Sequence, residues 1–341
     1  MDPVSHLLFA RMLSALREEA RTARAVVAAT TLGGIAPDVD ALLMSRGWDV
    51  YLRYHEGGTH ALVGTFLTAV LTAAVVRRVA REAPWGPLIA GAWIGTLSHV
   101  FFDLVSGASV QPLWPLSTMR VTAPIVAMAD PLAIACLLAG AAALYIWPRV
   151  ARAAGVLTLA LLATVFGVKL MTRTSATAAY QGAVREGARV VDTTVEAAWG
   201  SWRAWRVFDR TDTGEVRAWH VDGWTRDVRL RFAHPDLREA PFARESVRQF
   251  ETARNFSEVH TYAFATLSER PDGHVVFWSD ARFCWTPGED ADPQVDVPHQ
   301  DVRPPASPLR CAMWFGGSLD RDGDPVEALV WLGGHLQRRQ P

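Results

Sequence analysis

Gly33–His60 reads GGIAPDVDALLMSRGWDVYLRYHEGGTH, and Ser98–Asp103 reads SHVFFD. The first stretch sets Asp38, Asp40, His55, Glu56 and His60 among glycines and a proline, and the second sets His99 and Asp103 inside an apolar run from Pro87 to Val105. Residues at i and i+4 share one helix face, so His99 and Asp103 project together. Ionisable groups inside a membrane-length apolar helix are unfavourable unless they pair or bind something, which makes a functional role the first expectation. The competing reading is a structural His–Asp hydrogen bond between packed helices.

Imidazoles and carboxylates without thiolate are donors suited to Zn²⁺, and alternatively to Mn²⁺ or Fe²⁺, as one ion or as two bridged by a carboxylate. After Pro37, Asp38 and Asp40 converge only if the backbone turns, because a regular helix sends i and i+2 about 200° apart. Gly57 and Gly58 open conformations closed to other residues, so His55 and His60 can fold toward one centre. Thr59 is placed to cap the helix that follows. Each element also has a plainer reading in isolation: Asp38 as an N-cap beside a solvated Asp40, and His6 as a packed or surface histidine on the first helix.

Outward from this stretch the chain is apolar to about Met171. Ala61–Val76, Pro87–Val105, Leu132–Trp147 and Ala153–Met171 are four candidate spans, whereas Ala25–Ala36 falls short of the roughly 20 residues a bilayer requires. Asp2-Pro3 and Asp130-Pro131 are helix starts, with aspartate as N-cap and proline at the first helical position. No arginine-led segment precedes the first helix and no cleavage site follows it, so it is not read as a signal peptide. Lys169 is expected to snorkel to the membrane boundary, and Trp114, in the Gly/Pro/Ser-rich loop Ser106–Pro124, to anchor at an interface. Short connections holding Arg77, Arg78, Arg81, Arg149 and Arg152 read as cytoplasmic, which puts the site side and the carboxy-terminal half outside. Arg11, Arg17, Arg21, Arg24, Arg46 and Arg53 lie on the opposite side and dilute that bias.

From Thr172 the pattern changes. A helical stretch leads into alternating segments, WRAWRVFD, EVRAWHV, VRLRF, HTYAFATLSE, HVVFWSDARFCW and CAMWFGG, with a helix expected over Arg244–Phe256. The Trp stripe at period two reads as core. His220, His234, His260, His274, His299 and His335 share no spacing and read as surface or core residues. Cys284 and Cys311 are expected to pair if this half is extracytoplasmic and to stay free if it is not. The expected fold is an α-helical integral membrane domain, residues 1–171, with about four spans plus amino-terminal helices, followed by a soluble Trp-rich α+β antiparallel-sheet domain, residues 172–341. With 34 Lys and Arg against 35 Asp and Glu, the formal charge of −1 offers no electrostatic case for nucleic acid. Three cysteines without a CxxC pair argue against a thiolate zinc site.

Taken together, DPVSHLLF, APDVD, HEGGTHA, LSHVFFD followed by QPLWPLS, and ADPL resemble the membrane-bound metal-dependent hydrolase family of the YdjM/YbcI type, and the late WSDARF resembles a segment of its longer members. The resemblance implies a metal site built from His6, Asp38, Asp40, His55, His60, His99 and Asp103 in a multi-pass inner-membrane protein. Glu56 stands where the family usually has Arg, and Ala61 where it has Ser. Loss of a guanidinium points to a changed anion preference, or to Glu56 as a proton-transfer group. The implied reaction is hydrolysis by a metal-activated water, with Glu56 or Asp40 moving the proton, on a phosphoester or lipid-linked small molecule at the membrane lipid boundary. A metal-dependent peptidase or amidase is a rival, weakened by the lack of HExxH. A non-enzymatic, metal-stabilised scaffold that binds a partner through its soluble half is another. Oligomeric state is not encoded in any motif.

Overall fold

The computed structural model describes residues 2–16, 23–185, 187–285, 309–332 and 335–340; the expectations for Arg17, Arg21 and His299 lie outside the described residues. Two compact units form. One holds Met1–Leu42, Tyr54–Ala176 and Glu196–Trp205, the other Leu43–Arg53, Thr177–Val195 and Arg206–Pro341.

The chain opens with α1 (Pro3–Ser14), whose N-cap Asp2 accepts from the Ser5 amide at 2.9 Å, as the Asp-Pro pair implies. α2 (Ala23–Gly33) leads into a 3-10 segment, Ala36–Arg46. After it come α3 (Trp48–Tyr54), a 3-10 turn at Gly58–His60, α4 (Leu62–Val79) and α5 (Trp85–Val105). α6 (Pro131–Ile146) and α7 (Ala151–Ala183) complete the helical half.

Among the described residues four helical runs are long and apolar enough to cross a membrane: Arg24–Arg46, Leu62–Val79, Trp85–Val105 and Pro148–Ala183. Their number is the expected one, but the set differs. α6 has 16 residues, about 24 Å of helix, against a hydrocarbon core of about 30 Å. Ala25–Ala36, read as too short, gains length because helical backbone runs on past Pro37 to Arg46. Leu67, Leu71 and Val75 on α4 and Leu157 on α7 face outward, the surface a lipid-exposed helix presents.

Inside the bundle small side chains let backbones close in. Ala29, Ala69, Ala73 and Ala92 are fully buried in one cluster, the composition expected where lipid offers no hydrophobic drive for helices to associate. At Gly95 a Cβ would lie 2.1 Å from the Thr30 carbonyl oxygen, so only glycine permits α2 and α5 to meet there. A second cluster packs Phe9 and Met12 of α1 with Phe102 of α5 and Leu137 of α6.

Two expectations about charged groups resolve differently. Asp130 caps α6 through the Leu132 and Ala133 amides at 3.0 and 3.2 Å. Lys169 does not snorkel: it is fully buried, with Nζ 2.6 Å from Asp130 Oδ2 and 2.7 Å from the Ser201 carbonyl oxygen. Its stem sits mid-helix, so the ammonium reaches a buried carboxylate more readily than water.

In the second unit β1 (Val190–Ala197), β2 (Ala204–Thr211), β3 (Glu215–Asp222) and β4 (Val228–Pro235) form a four-stranded sheet in that order. The expected helix over Arg244–Phe256 is two helices, α8 (Pro241–Gln249) and α9 (Glu251–Val259), broken where Phe250 adopts extended backbone. β5 (Ala263–Arg270) and β6 (Gly273–Asp280) precede the two-residue pair β7 (Cys284–Trp285) and β8 (Arg310–Cys311), joined by a Cys284–Cys311 disulfide. β9 (Met313–Asp320), β10 (Pro325–Leu332) and β11 (His335–Arg339) finish a five-stranded sheet ordered β11-β10-β9-β6-β5, antiparallel throughout. Phe250, Phe256, Phe315, Val276 and Val330 form the core between this sheet and α8–α9. Trp278 and Trp314 are buried, as the period-two stripe implied.

Candidate metal centre

The helices deliver the candidate ligands from four directions. α1 brings His6, the 3-10 segment after Pro37 brings Asp38 and Asp40, the Gly57–Gly58 turn brings His60, and α5 brings His99 and Asp103. At Gly34 a Cβ would fall 2.8 Å from the His6 carbonyl oxygen, so the glycine lets α1 close on the start of that segment.

Two buried imidazoles define the centre. His99 Nδ1 donates to the Gly34 carbonyl at 2.8 Å, which leaves Nε2 as the lone-pair nitrogen of a neutral ring. Thr59 Oγ1 donates to Asp40 Oδ2 at 2.9 Å and lies 3.0 Å from His60 Nδ1, which fixes the same tautomer in His60. The two Nε2 atoms then face each other at 3.1 Å, and two lone pairs at that distance need a proton or a cation between them. Without a metal the proton serves. Burial pushes His60 down, but hydrogen bonds and charge from Asp103 and Asp40 outweigh it and raise the imidazole to about 9.

Carboxylates complete the set. Asp103 Oδ2 lies 3.0 Å from His99 Nε2 and 3.4 Å from His60 Nε2, and Asp38 Oδ1 lies 3.3 and 3.7 Å from the same two atoms. A tetrahedral shell with bonds of 2.0–2.1 Å has edges of about 3.3 Å, so the His60, His99 and Asp103 atoms are spaced as ligands around one small divalent ion would be, while Asp38 groups with the imidazoles and not with Asp103. The other Asp103 oxygen lies 3.1 Å from His6 Nε2. Nδ1 of His6 is buried without a hydrogen-bond partner among the described residues, Nε2 has the Asp103 carboxylate beside it, and burial lowers the pKa of the ring. An imidazole with one buried nitrogen left unsatisfied and the other against a carboxylate fits a metal ligand better than a packed core residue. Three overlapping groups result: His6 with Asp38 and His99, Asp38 with His55 and His60, and His60 with His99 and Asp103.

Asp40 and Glu56 stand outside these groups. Asp40 Oδ1 accepts from His55 Nδ1 at 2.9 Å, and its other oxygen holds Thr59, so it orients two histidines. Glu56 has left-handed backbone, φ 62°, a strained conformation for a residue with a Cβ. Its Oε2 accepts from the Ser109 amide at 2.8 Å and its Oε1 lies 4.0 Å from His55 Nε2. Arg120 donates to the Ser109 carbonyl at 2.7 Å and brings a positive charge toward Glu56. The Ser106–Pro124 loop is thus tied to the HEGGTH turn, and the Trp114 ring lies against Gly58.

Sequence reasoning placed Thr59 as a cap for α4, but the N-cap position there is Ala61 and Thr59 serves Asp40. The Gly34 carbonyl was not foreseeable, since every residue carries one. Access is asymmetric: the Asp38 side chain is 24 % exposed and that of His55 18 %, while those of His60 and His99 are fully buried.

A family model described as YdjM inner membrane protein matches residues 1–176, more than half of the chain, and contains every residue of the centre. Over 109 residues the chain is 29% identical to the uncharacterized protein YfhP of Bacillus subtilis (strain 168), covering 32% of this chain and 33% of that protein. The chain thus spans about a third of the length of that curated relative. No solved structure matches.

Proposed function

The chain belongs to the YdjM inner membrane protein family, and on that premise we propose that it is a membrane-bound, metal-dependent hydrolase acting on a phosphoester or lipid-linked small molecule. Family membership and four membrane-length helices make it a multi-pass inner-membrane protein. The observation that carries the reading is the facing pair of His60 and His99 Nε2 atoms at 3.1 Å, flanked by Asp38 and Asp103.

His60, His99 and Asp103 would hold one ion, and Asp38, which groups with His6 and His99 on one side and with His55 and His60 on the other, would serve a second. Zinc suits this donor set, with manganese or iron as alternatives. Bound there, the ion would acidify a water and polarise the scissile group. The protein's own contribution lies at the exposed edge. Asp40 fixes the His55 ring, and the Ser109 amide fixes Glu56 so that its free oxygen faces His55. That pair can take up and pass on a proton beside Asp38. Arg120 supplies the positive charge for an anionic group.

A purely structural ion is the second reading, favoured by the depth of His6, His60 and His99. Assay of purified protein with p-nitrophenyl phosphate and a short-chain phosphatidic acid, with and without added zinc or manganese, separates them. Metal-dependent release of product, lost in His99→Ala and reduced about 100-fold in Glu56→Gln, supports hydrolysis. No turnover by a fully metal-loaded protein supports the structural ion.

The Cys284–Cys311 disulfide supports an extracytoplasmic C-terminal unit, because such bonds persist in oxidising compartments. Asp322 is exposed; in intact cells Asp322→Cys should react with a membrane-impermeant thiol reagent, and absence of labelling would place that unit inside.

A further inference from the structure

α3 interrupts the ligand set. In sequence it separates Asp38 and Asp40 from His55 and His60, yet residues Leu43–Arg53 belong to the C-terminal unit. A helix of seven residues has no stability of its own in water, so its order must come from what holds it.

The hold is specific. Asp49, only 2 % exposed, accepts from Arg339 Nη1 at 2.7 Å and from Asn255 Nδ2 at 3.2 Å. Arg53 donates to Asn255 Oδ1 at 2.6 Å and pairs with Glu258 at 2.9 Å. Trp48 and Leu52 pack on the core that contains Phe250, Phe315 and Val330. Gly47 sits at φ 137° directly against the Arg339 guanidinium, where a Cβ would lie 2.2 Å from Nη1. The positive φ calls for glycine there, and its bare Cα is where the Arg339 guanidinium packs.

Covalent continuity carries this grip to the centre. Asp40 stands three residues before Leu43, and His55 two residues after Arg53. A segment fixed between them limits the positions that the Asp38–Asp40 and His55–His60 arms can sample, and ordering both arms beforehand lowers the entropy lost when they close on an ion.

We propose that the C-terminal unit is a positioning element for the centre: by gripping α3 through Asp49, Arg339 and Asn255, it sets how the two ligand arms meet. The inference rests on the reading of the centre as a cation site. Coupling of this kind is reciprocal, so loosening α3 weakens cation binding and cation binding tightens α3.

The full chain in detergent micelles tests it, with zinc affinity from chelator competition and the visible absorption of the Co²⁺ form as readouts. Arg339→Ala should weaken zinc about tenfold and alter the Co²⁺ spectrum, and Arg339→Lys, which keeps the charge, should recover most of both. Parental affinity and spectrum in Arg339→Ala, with metal lost in His99→Ala, overturns the coupling and leaves the cation reading standing. A parent chain that holds no cation removes both. Should Arg339→Ala not fold, hydrogen exchange on the unaltered chain decides: zinc should slow the amides of residues 48–54 about fivefold or more, and unchanged exchange there overturns the proposal.

Discussion

Asp40 and His60 are linked through Thr59: its hydroxyl donates to Asp40 Oδ2 at 2.9 Å and lies 3.0 Å from His60 Nδ1. That link turns the His60 Nε2 lone pair toward His99 and Asp103, and the other Asp40 oxygen does the same service for His55. On the proposed metal reading Asp40 acts one step behind the ligands, where carboxylates commonly set the tautomer and orientation of a metal-binding histidine.

Asp40→Ala should weaken metal affinity about 10- to 100-fold without abolishing it, the range found for partners of this kind. Chelator competition on the purified variant measures it. Complete loss of metal would instead make Asp40 a direct ligand.

Gly95→Val should push α2 and α5 apart at Thr30 and draw His99 away from the Gly34 carbonyl. Overpacking of this kind costs about 1–3 kcal/mol, and here it should also lower metal content. A thermal melt and metal analysis of the same sample check both effects; a melt and a metal content equal to the parent's would show that the helices tolerate a side chain at this crossing.

The ligand types were legible because they lie in a few short motifs, and because i and i+4 fix His99 and Asp103 on one face whatever surrounds them. Nothing local separates Asp38, which faces the imidazole nitrogens, from Asp40, which supports them; only distances do. Lys169 was misread because its partner Asp130 is 39 positions away. The grip on α3 was invisible for the same reason, since Arg339 and Asp49 are 290 positions apart. β1 was missed because its first two residues, Val190 and Val191, close the stretch that reads as helical from Thr172, and β10 and β11 lie beyond the last alternating segment, CAMWFGG. α6 and the run ending at Arg46 exchanged roles as span candidates because apolar composition was weighed without helical continuity past Pro37.

Lys169→Met should leave the Asp130 carboxylate buried without its ion-pair partner and cost about 3–5 kcal/mol. Lys169→Met combined with Asp130→Asn should be less destabilised than Lys169→Met alone, because the uncompensated charge is gone. Denaturation of the three proteins in detergent gives the comparison, and equal losses in the single and double variants would show that the pair is not what holds α7 there.

Acid should unfold the C-terminal unit through Asp280. Burial alone would raise this carboxyl, but the charge of Arg282 and the hydrogen bond from His260 at 2.8 Å hold it far below the usual range. A carboxylate depressed in the folded state stabilises fully above its unfolded value of about 3.9 and loses that contribution as pH falls toward its folded value. Melting temperature should therefore hold near pH 6 and fall below about pH 4, with Asp280→Asn less stable than the parent near pH 6 and losing less on acidification. Parallel pH curves for parent and variant would rule this out.

The most direct test is metal content per chain, by elemental analysis of the purified parent, His99→Ala and Asp38→Ala, with folding of each verified. The geometry of His60, His99, Asp38 and Asp103 predicts at least one zinc, manganese or iron ion per parent chain and its loss from both variants. Full parental metal content in both variants would contradict it and leave these residues a hydrogen-bonded cluster inside a membrane protein.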